Sequence, residues 1–206
     1  AYEIYQCDWS SDVCSSDLFA LARYPAAWTD DEKAAATAAF ALAKNEEAQA
    51  LLARVMAKFK DPAARDALLV QRPRAKPGLR TEIARALGAF PADELTLAAL
   101  AGSLNDPEAQ VAEQALESLA RLGAGAASLA DTVRSLIEET KSPWLKGSAL
   151  ATLPVLDQAM ARPVLESQLV DGSTSVAPAL RGLAVLGDEG ALAKILPYLE
   201  IGRAHV

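Results

Sequence analysis

The stretch NDPEAQVAEQALESLARLG, residues 105–123, decides the fold. It opens on Asn105-Asp106-Pro107. An aspartate side chain can accept a hydrogen bond from an orphaned N–H at a helix start, and a proline at the first helical position gives up a donor with no intrahelical acceptor. The reading predicts a helix from 107 to 122, ended by Gly123, a residue that takes a left-handed conformation cheaply. Within it, Leu116 and Leu119 are expected in the core, and Ala112 and Ala115 are small enough to let a neighbouring helix approach closely.

Outward from this segment the same punctuation recurs. Ala86-Leu87-Gly88, Arg121-Leu122-Gly123, Val155-Leu156-Asp157 and Val185-Leu186-Gly187 end apolar segments at intervals of 35, 34 and 30 residues. The starts Asp106-Pro107, Ser142-Pro143 and Gly172-Ser173 keep step, and Asp61-Pro62 is an earlier example. Each period holds two helices, expected at 92–104 and 107–122, 126–139 and 143–156, and 159–170 and 174–186, with 189–199 opening a further pair. Upstream, 31–44, 46–59, 62–71 and 78–89 are also expected to be helical, in less regular register.

The apolar spacing agrees. Leu97, Leu100, Ala101 and Leu104 fall at i, i+3, i+4 and i+7. Leu129, Val133, Leu136 and Ile137 form a second stripe, and Leu192, Ile195, Leu196 and Leu199 a third. Each marks one face of an amphipathic helix, and none alternates as a half-buried strand would. A single helix pair cannot bury its stripe, so stacking neighbours must complete the core. Ala149 and Ala151 are read with Ala112 and Ala115 as close-approach positions, and Leu153 as core. Gly88, Gly123 and Gly187 are read as helix terminators.

These residues resemble HEAT repeats, including the short bacterial variety related to phycobilin-lyase repeats. The resemblance is carried by the Asp106-Pro107 turn, by Pro77-Gly78-Leu79-Arg80 leading to Ala84, Ala86, Leu87 and Gly88, and by the recurrent Ala/Leu second helix. It covers about residues 19–199. The family's Val-Arg after the turn is matched near Leu79-Arg80 only, and Gln110-Val111 stands in that place after Asp106-Pro107. The resemblance implies an all-α fold, a right-handed α-α superhelix, or solenoid, of stacked antiparallel helix pairs. It also implies a binding surface on the concave face of the second helices.

Composition fits packed helices. The 206 residues are 51% hydrophobic and only 5% aromatic, and Ala and Leu are good helix formers. No run of the length that spans a bilayer occurs, and no membrane partner is expected. The chain starts at Ala1 without an initiator Met, so a true N-terminus is expected upstream.

Both ends read differently from the rest. AYEIYQCDWSSDVCSSDL, residues 1–18, holds both cysteines and no Lys or Arg, and EIGRAHV, residues 200–206, holds the one histidine. Written as GAG ATC GGA AGA GCA CAC GTC, the tail has a reverse complement that translates as DVCSSDL, which is Asp12 to Leu18 in frame. The nucleotide string resembles a sequencing-library adapter. Residues 1–18 and 200–206 are therefore read as adapter-derived and outside the fold, leaving 19–199 as a repeat array from a longer chain. Without these ends the net charge of −7 becomes −3, from 22 acids and 19 bases. Cys7, Cys14 and His205 then lose standing as disulfide, metal or catalytic candidates.

What remains is thin in chemistry. With no Cys or His in 19–199, no Ser-His-Asp system can be built, no catalytic, cofactor or metal residue is assigned, and no enzyme is expected. Gly123-Ala124-Gly125 lacks the Lys-Ser/Thr of a phosphate loop. The acidic pairs Asp30-Asp31, Glu46-Glu47 and Asp93-Glu94 suit first helical turns, while Glu138-Glu139 falls at a helix C-terminus. Trp28 and Trp144 are expected to pack on adjacent structure. The suggestive stretch is 58–85, with Lys58, Lys60, Arg65, Arg72, Arg74, Lys76, Arg80 and Arg85 against Asp61, Asp66 and Glu82, a local +5. Arg72, Arg74, Lys76 and Arg80 are its candidate contacts to phosphate or to an acidic partner, although no aromatic interleaves them for base stacking. The leading expectation is a non-catalytic scaffold binding a protein or peptide. The alternatives are nucleic-acid binding through 58–85 and a repeat arm of a multidomain enzyme.

Overall fold

The computed structural model describes residues 28–170 and 173–203, and among these every regular element is helical. In chain order the α-helices are α1 (Asp30–Leu42), α2 (Glu46–Phe59), α3 (Pro62–Gln71), α4 (Pro77–Leu87), α5 (Glu94–Leu104), α6 (Ala109–Leu122), α7 (Ala130–Glu139), α8 (Pro143–Leu156), α9 (Gln158–Ser167), α10 (Val176–Leu186) and α11 (Glu189–Arg203). Two 3₁₀ segments, Arg72–Arg74 and Gly123–Leu129, follow α3 and α6. Cys7, Cys14 and His205 lie outside the described residues. The backbone of α11 continues as helix past Leu199 to Arg203.

Local chemistry sets most of the starts. Thr29 forms a capping box with Glu32, each side chain bonding the other's backbone N–H. Asn45 caps α2, Asp61 caps α3 with Pro62 just inside, and Ser142 caps α8 ahead of Pro143. Asp157 closes α8 and its side chain caps α9. Each such bond satisfies an N–H that the helix itself leaves unpaired.

Three expectations about boundaries are corrected. The Asp106 side chain does accept an N–H, that of Glu108 at 3.0 Å, but α6 begins at Ala109 and Pro107 lies outside it. The bond makes a local Asx turn before the helix instead of a cap on it. The helix expected over 126–139 is α only from Ala130, because 123–129 winds as 3₁₀ with a break at Ala126. Gly88 ends α4 with φ −67°, in the right-handed region, so any residue could adopt its backbone. Gly123 and Gly187 have φ of 59° and 66° and do use glycine's freedom.

The chain divides into two compact units, residues 1–103 and 104–206. In the first, α2 packs on α4 and α1 on α3, and each consecutive pair from α1 to α4 is also in contact. Phe40, Leu52, Met56, Leu68, Leu79, Ile83, Leu87 and Leu100 are buried there. In the second, α8 lies between α6 and α10 and also packs on α7 and α9, while α10 meets α9 and α11. Leu116, Leu119, Val133, Ile137, Leu150, Leu153, Leu165 and Leu183 fill this core. Within the first unit α2 and α4 pack together with α1 and α3 beside them, and within the second α6, α8 and α10 pack in order with α7 and α9 beside α8, so each unit by itself has a zigzag of helices. Burying a Leu, Ile or Phe side chain contributes roughly 1.5–3 kcal/mol. Leu100, Leu104, Val133 and Ile137 of the first two expected stripes are buried, whereas Leu192 and Leu196 of the third are exposed, a correction to the expectation of a covered stripe there.

Small residues set the closeness of the α8–α10 contact. A Cβ at Gly182 would meet Leu165 Cδ2 at 2.6 Å and the Leu150 carbonyl oxygen at 2.9 Å. Ala112, Ala115 and Ala149 are buried as expected. Ala151 is not: it is exposed, one turn on from half-buried Gly147. Alanine is equally at home on either face of a helix, so its identity alone did not say which way it points.

Candidate functional site

The outward side of the even-numbered layer in the second unit carries a defined row of side chains. On α8 the positions Trp144, Gly147, Ser148 and Ala151 share one stripe at helical spacing. Trp144 is 75% exposed, which corrects the expectation that it packs on an adjacent turn. It is nevertheless held in place. Its indole N–H donates to Glu113 Oε1 at 2.6 Å, and the Ser148 hydroxyl donates to the same oxygen at 3.2 Å. Glu113 lies on α6, 31 residues away in sequence from Trp144. One turn further along α6 stands exposed Glu117, which accepts from the Gln114 side chain. On α10 half-buried Pro178 and exposed Arg181 and Val185 share a stripe. Pro178 comes within 3.3 Å of where a Gly147 Cβ would be. The sequence showed a tryptophan just inside a proline-started helix, and nothing local to it pointed to Glu113.

The basic stretch of the first unit is largely occupied by its own structure. Arg72 donates from Nε to Ser103 Oγ at 3.1 Å and lies over Gly102, where a Cβ would sit 3.0 Å from the guanidinium. Arg80 donates to the Ala75 carbonyl at 2.9 Å and is half-buried. Lys76 is exposed and 3.5 Å from Glu46. Arg74 is exposed in the 3₁₀ turn. Of the four candidate contacts, then, two are bound to backbone or hydroxyl partners, one faces a carboxylate and one points to solvent. Arg65 bonds Asp66 and Asp93, and Arg85 lies 3.4 Å from Glu82.

Two ion pairs of this unit tie helices together. Arg54 on α2 holds Glu82 on α4 in a two-pronged pair, Nε to Oε2 at 2.8 Å and Nη2 to Oε1 at 2.7 Å. The Glu82 side chain is 12% exposed, and its carboxylate raises the Arg54 pKa further above its ordinary value. Asp93 caps α5 by accepting the Thr96 N–H at 2.9 Å. That backbone bond, with Arg65 beside it, holds the Asp93 carboxyl below the usual range.

The acidic pairs behave as helix-end chemistry. Asp30, Asp31, Glu46, Glu47 and Glu94 stand in first turns. Glu138 closes α7 with Arg134 at 3.6 Å. Among the described residues no group of His, Cys, Asp and Glu is arranged to hold a metal ion, and no helix is long and apolar enough to cross a membrane. Two open depressions occur in the second unit. One, of about 360 Å³, is lined by Leu104, Asn105, Asp131, Thr132, Ser135, Leu136 and Glu139. The other, of about 300 Å³, lies between α10 and α11 around Leu183, Ala191, Leu192 and Ile195. The first has the open, polar lining of a surface hollow, and the second is lined mainly by apolar side chains.

Comparison with protein-family models and with curated proteins finds no match for this chain.

Proposed function

We propose that this chain is a non-catalytic scaffold, a HEAT-like α-α solenoid that binds a protein or peptide along the outward face of its even-numbered helices. The zigzag of helix pairs in each unit supports the repeat reading. The single observation that carries the binding reading is the exposed yet hydrogen-bonded Trp144 on that face. Large aromatics are enriched at interaction hot spots because they bury much area with little loss of rotamer freedom. An exposed tryptophan fixed by a bond to a neighbouring helix is pre-ordered for such a contact. The right-handed superhelical path is part of the same proposal.

The nucleic-acid reading draws less support. Phosphate binding needs cations free to replace counterions, and most of the basic residues between 58 and 85 already have carboxylate, carbonyl or hydroxyl partners. The two readings separate by titrating the chain with labelled peptides and with a labelled DNA duplex over a range of salt. Peptide binding with a shallow salt slope supports the scaffold. Duplex binding with a steep slope, lost on Arg74→Glu, overturns it.

A further inference from the structure

We propose that the Trp144 face takes a basic side chain, Arg or Lys, of a peptide segment in a protein partner. The inference rests on the scaffold reading and names the chemistry of its occupant.

The argument is one of charge complementarity at a pre-ordered aromatic. Trp144 presents its ring to solvent while its N–H is committed to Glu113 Oε1. The ring is therefore fixed at one edge, with a carboxylate at that edge. A cation over an indole face is attracted by the ring's negative quadrupole, and the attraction grows where a carboxylate stands beside it. Glu113 receives two hydrogen bonds, from Trp144 and Ser148, and both go to the same oxygen. Both of these donors to Glu113 are neutral, whereas Glu117 has Arg121 one turn beyond it, whose Nε donates to the Glu117 carbonyl at 3.5 Å. In the same unit Arg134 serves Asp131 and Glu138, and Arg162 serves Asp188 and Glu166.

The row also leaves room for such a group. Gly147, Ser148 and Ala151, the positions that follow Trp144 along the stripe, have small side chains or none. Lys146 does not fill the place, since two residues along a helix turn it about 200° away from Trp144. On α6 exposed Arg121 stands about two turns from Glu113, and on α10 exposed Arg181 lies across α8 from it. The cation of the partner belongs at the α6–α8 side.

The test uses the full chain and short fluorescent peptides that differ only in carrying Arg, Lys, Gln or Glu at the same positions. Affinity is read by anisotropy for the parent chain and for Trp144→Ala, Trp144→Phe, Glu113→Gln and Glu139→Gln. Circular dichroism checks that each variant keeps its helix content. Arg and Lys peptides are expected to bind best. Trp144→Ala is expected to weaken them roughly 2- to 30-fold, Glu113→Gln about 2- to 5-fold, and Glu139→Gln, an exposed carboxylate on α7 away from the row, not at all. Trp144→Phe keeps a ring but loses the tether, and should fall between. Binding indifferent to peptide charge, or unchanged in Trp144→Ala, overturns this inference and leaves the scaffold reading standing. If no peptide of any composition binds, both fail.

Discussion

Arg54 and Glu82, 28 residues apart in the chain, clasp α2 to α4 through two parallel hydrogen bonds of 2.8 and 2.7 Å. The carboxylate end is largely buried and the guanidinium is 42% exposed. The pair is therefore neither a freely solvated surface bridge nor a dry internal one. Arg54→Ala should destabilise the first unit by about 1–3 kcal/mol, below the loss seen on breaking fully buried pairs because water reaches one partner. Urea unfolding of both proteins measures it. A loss under a few tenths would mean that the pair is no stronger than an exposed bridge.

Gly182→Ala should cost about 1–3 kcal/mol through overpacking. The added carbon meets the tip of Leu165, which can turn aside, and the backbone oxygen of Leu150, which cannot. Gly147→Ala meets only Pro178 at 3.3 Å, and gains about 1 kcal/mol of helix propensity. It should be neutral or mildly stabilising. Thermal melts of the two variants side by side check the contrast, and equal behaviour would show that the α8–α10 approach is looser than described.

Leu153→Ala, at a fully buried position on α8, should cost roughly 2–5 kcal/mol. Val185→Ala, 51% exposed on α10, should change stability by less than about 0.5 kcal/mol. Chemical denaturation of both variants tests whether the layer faces the way it is described, since a reversed order would turn α8 and α10 around.

Asp93 supplies a pH dependence. Its carboxyl is held below its ordinary pKa by the Thr96 N–H first and by Arg65. The folded state therefore binds its proton less readily than the unfolded chain. The stability this gives is complete above the ordinary aspartate value and is lost as pH falls through the lower folded value. Asp93→Asn should thus be less stable than the parent at neutral pH, and the gap should close in acid below about pH 4. Melting temperatures across that range decide it, and a gap that widens in acid would reverse the sign.

Local interactions explain why so much of the fold was legible. A helix cap joins residues two or three apart, as Asn45 does with Glu47 or Ser142 with Leu145. The turn dipeptides Asp61-Pro62 and Ser142-Pro143 therefore located the starts of α3 and α8, while α2 was placed at 46–59 without its Asn45 cap being read. The Thr29–Glu32 capping box was also there to be read as Thr-x-x-Glu, though the α1 start was placed at 31 without it. Stripe periodicity found Leu116, Leu119 and Leu153 because a core position needs only its own helix to be recognised.

The sequence by itself determined the helices and the core leucines of α6 and α8, because caps and apolar periodicity act within one or two turns. Only the tertiary structure decided where the surface chemistry went. Trp144 turns outward because its hydrogen-bond partner, Glu113, belongs to another helix 31 residues earlier. Arg72 and Arg80 leave the basic cluster for Ser103 and the Ala75 carbonyl. Ala151 falls on the surface while Ala149 is buried. A side chain's partner across a helix layer depends on how far each helix is turned and slid against the next, and that is fixed by the packing of the whole layer rather than by any short run of residues.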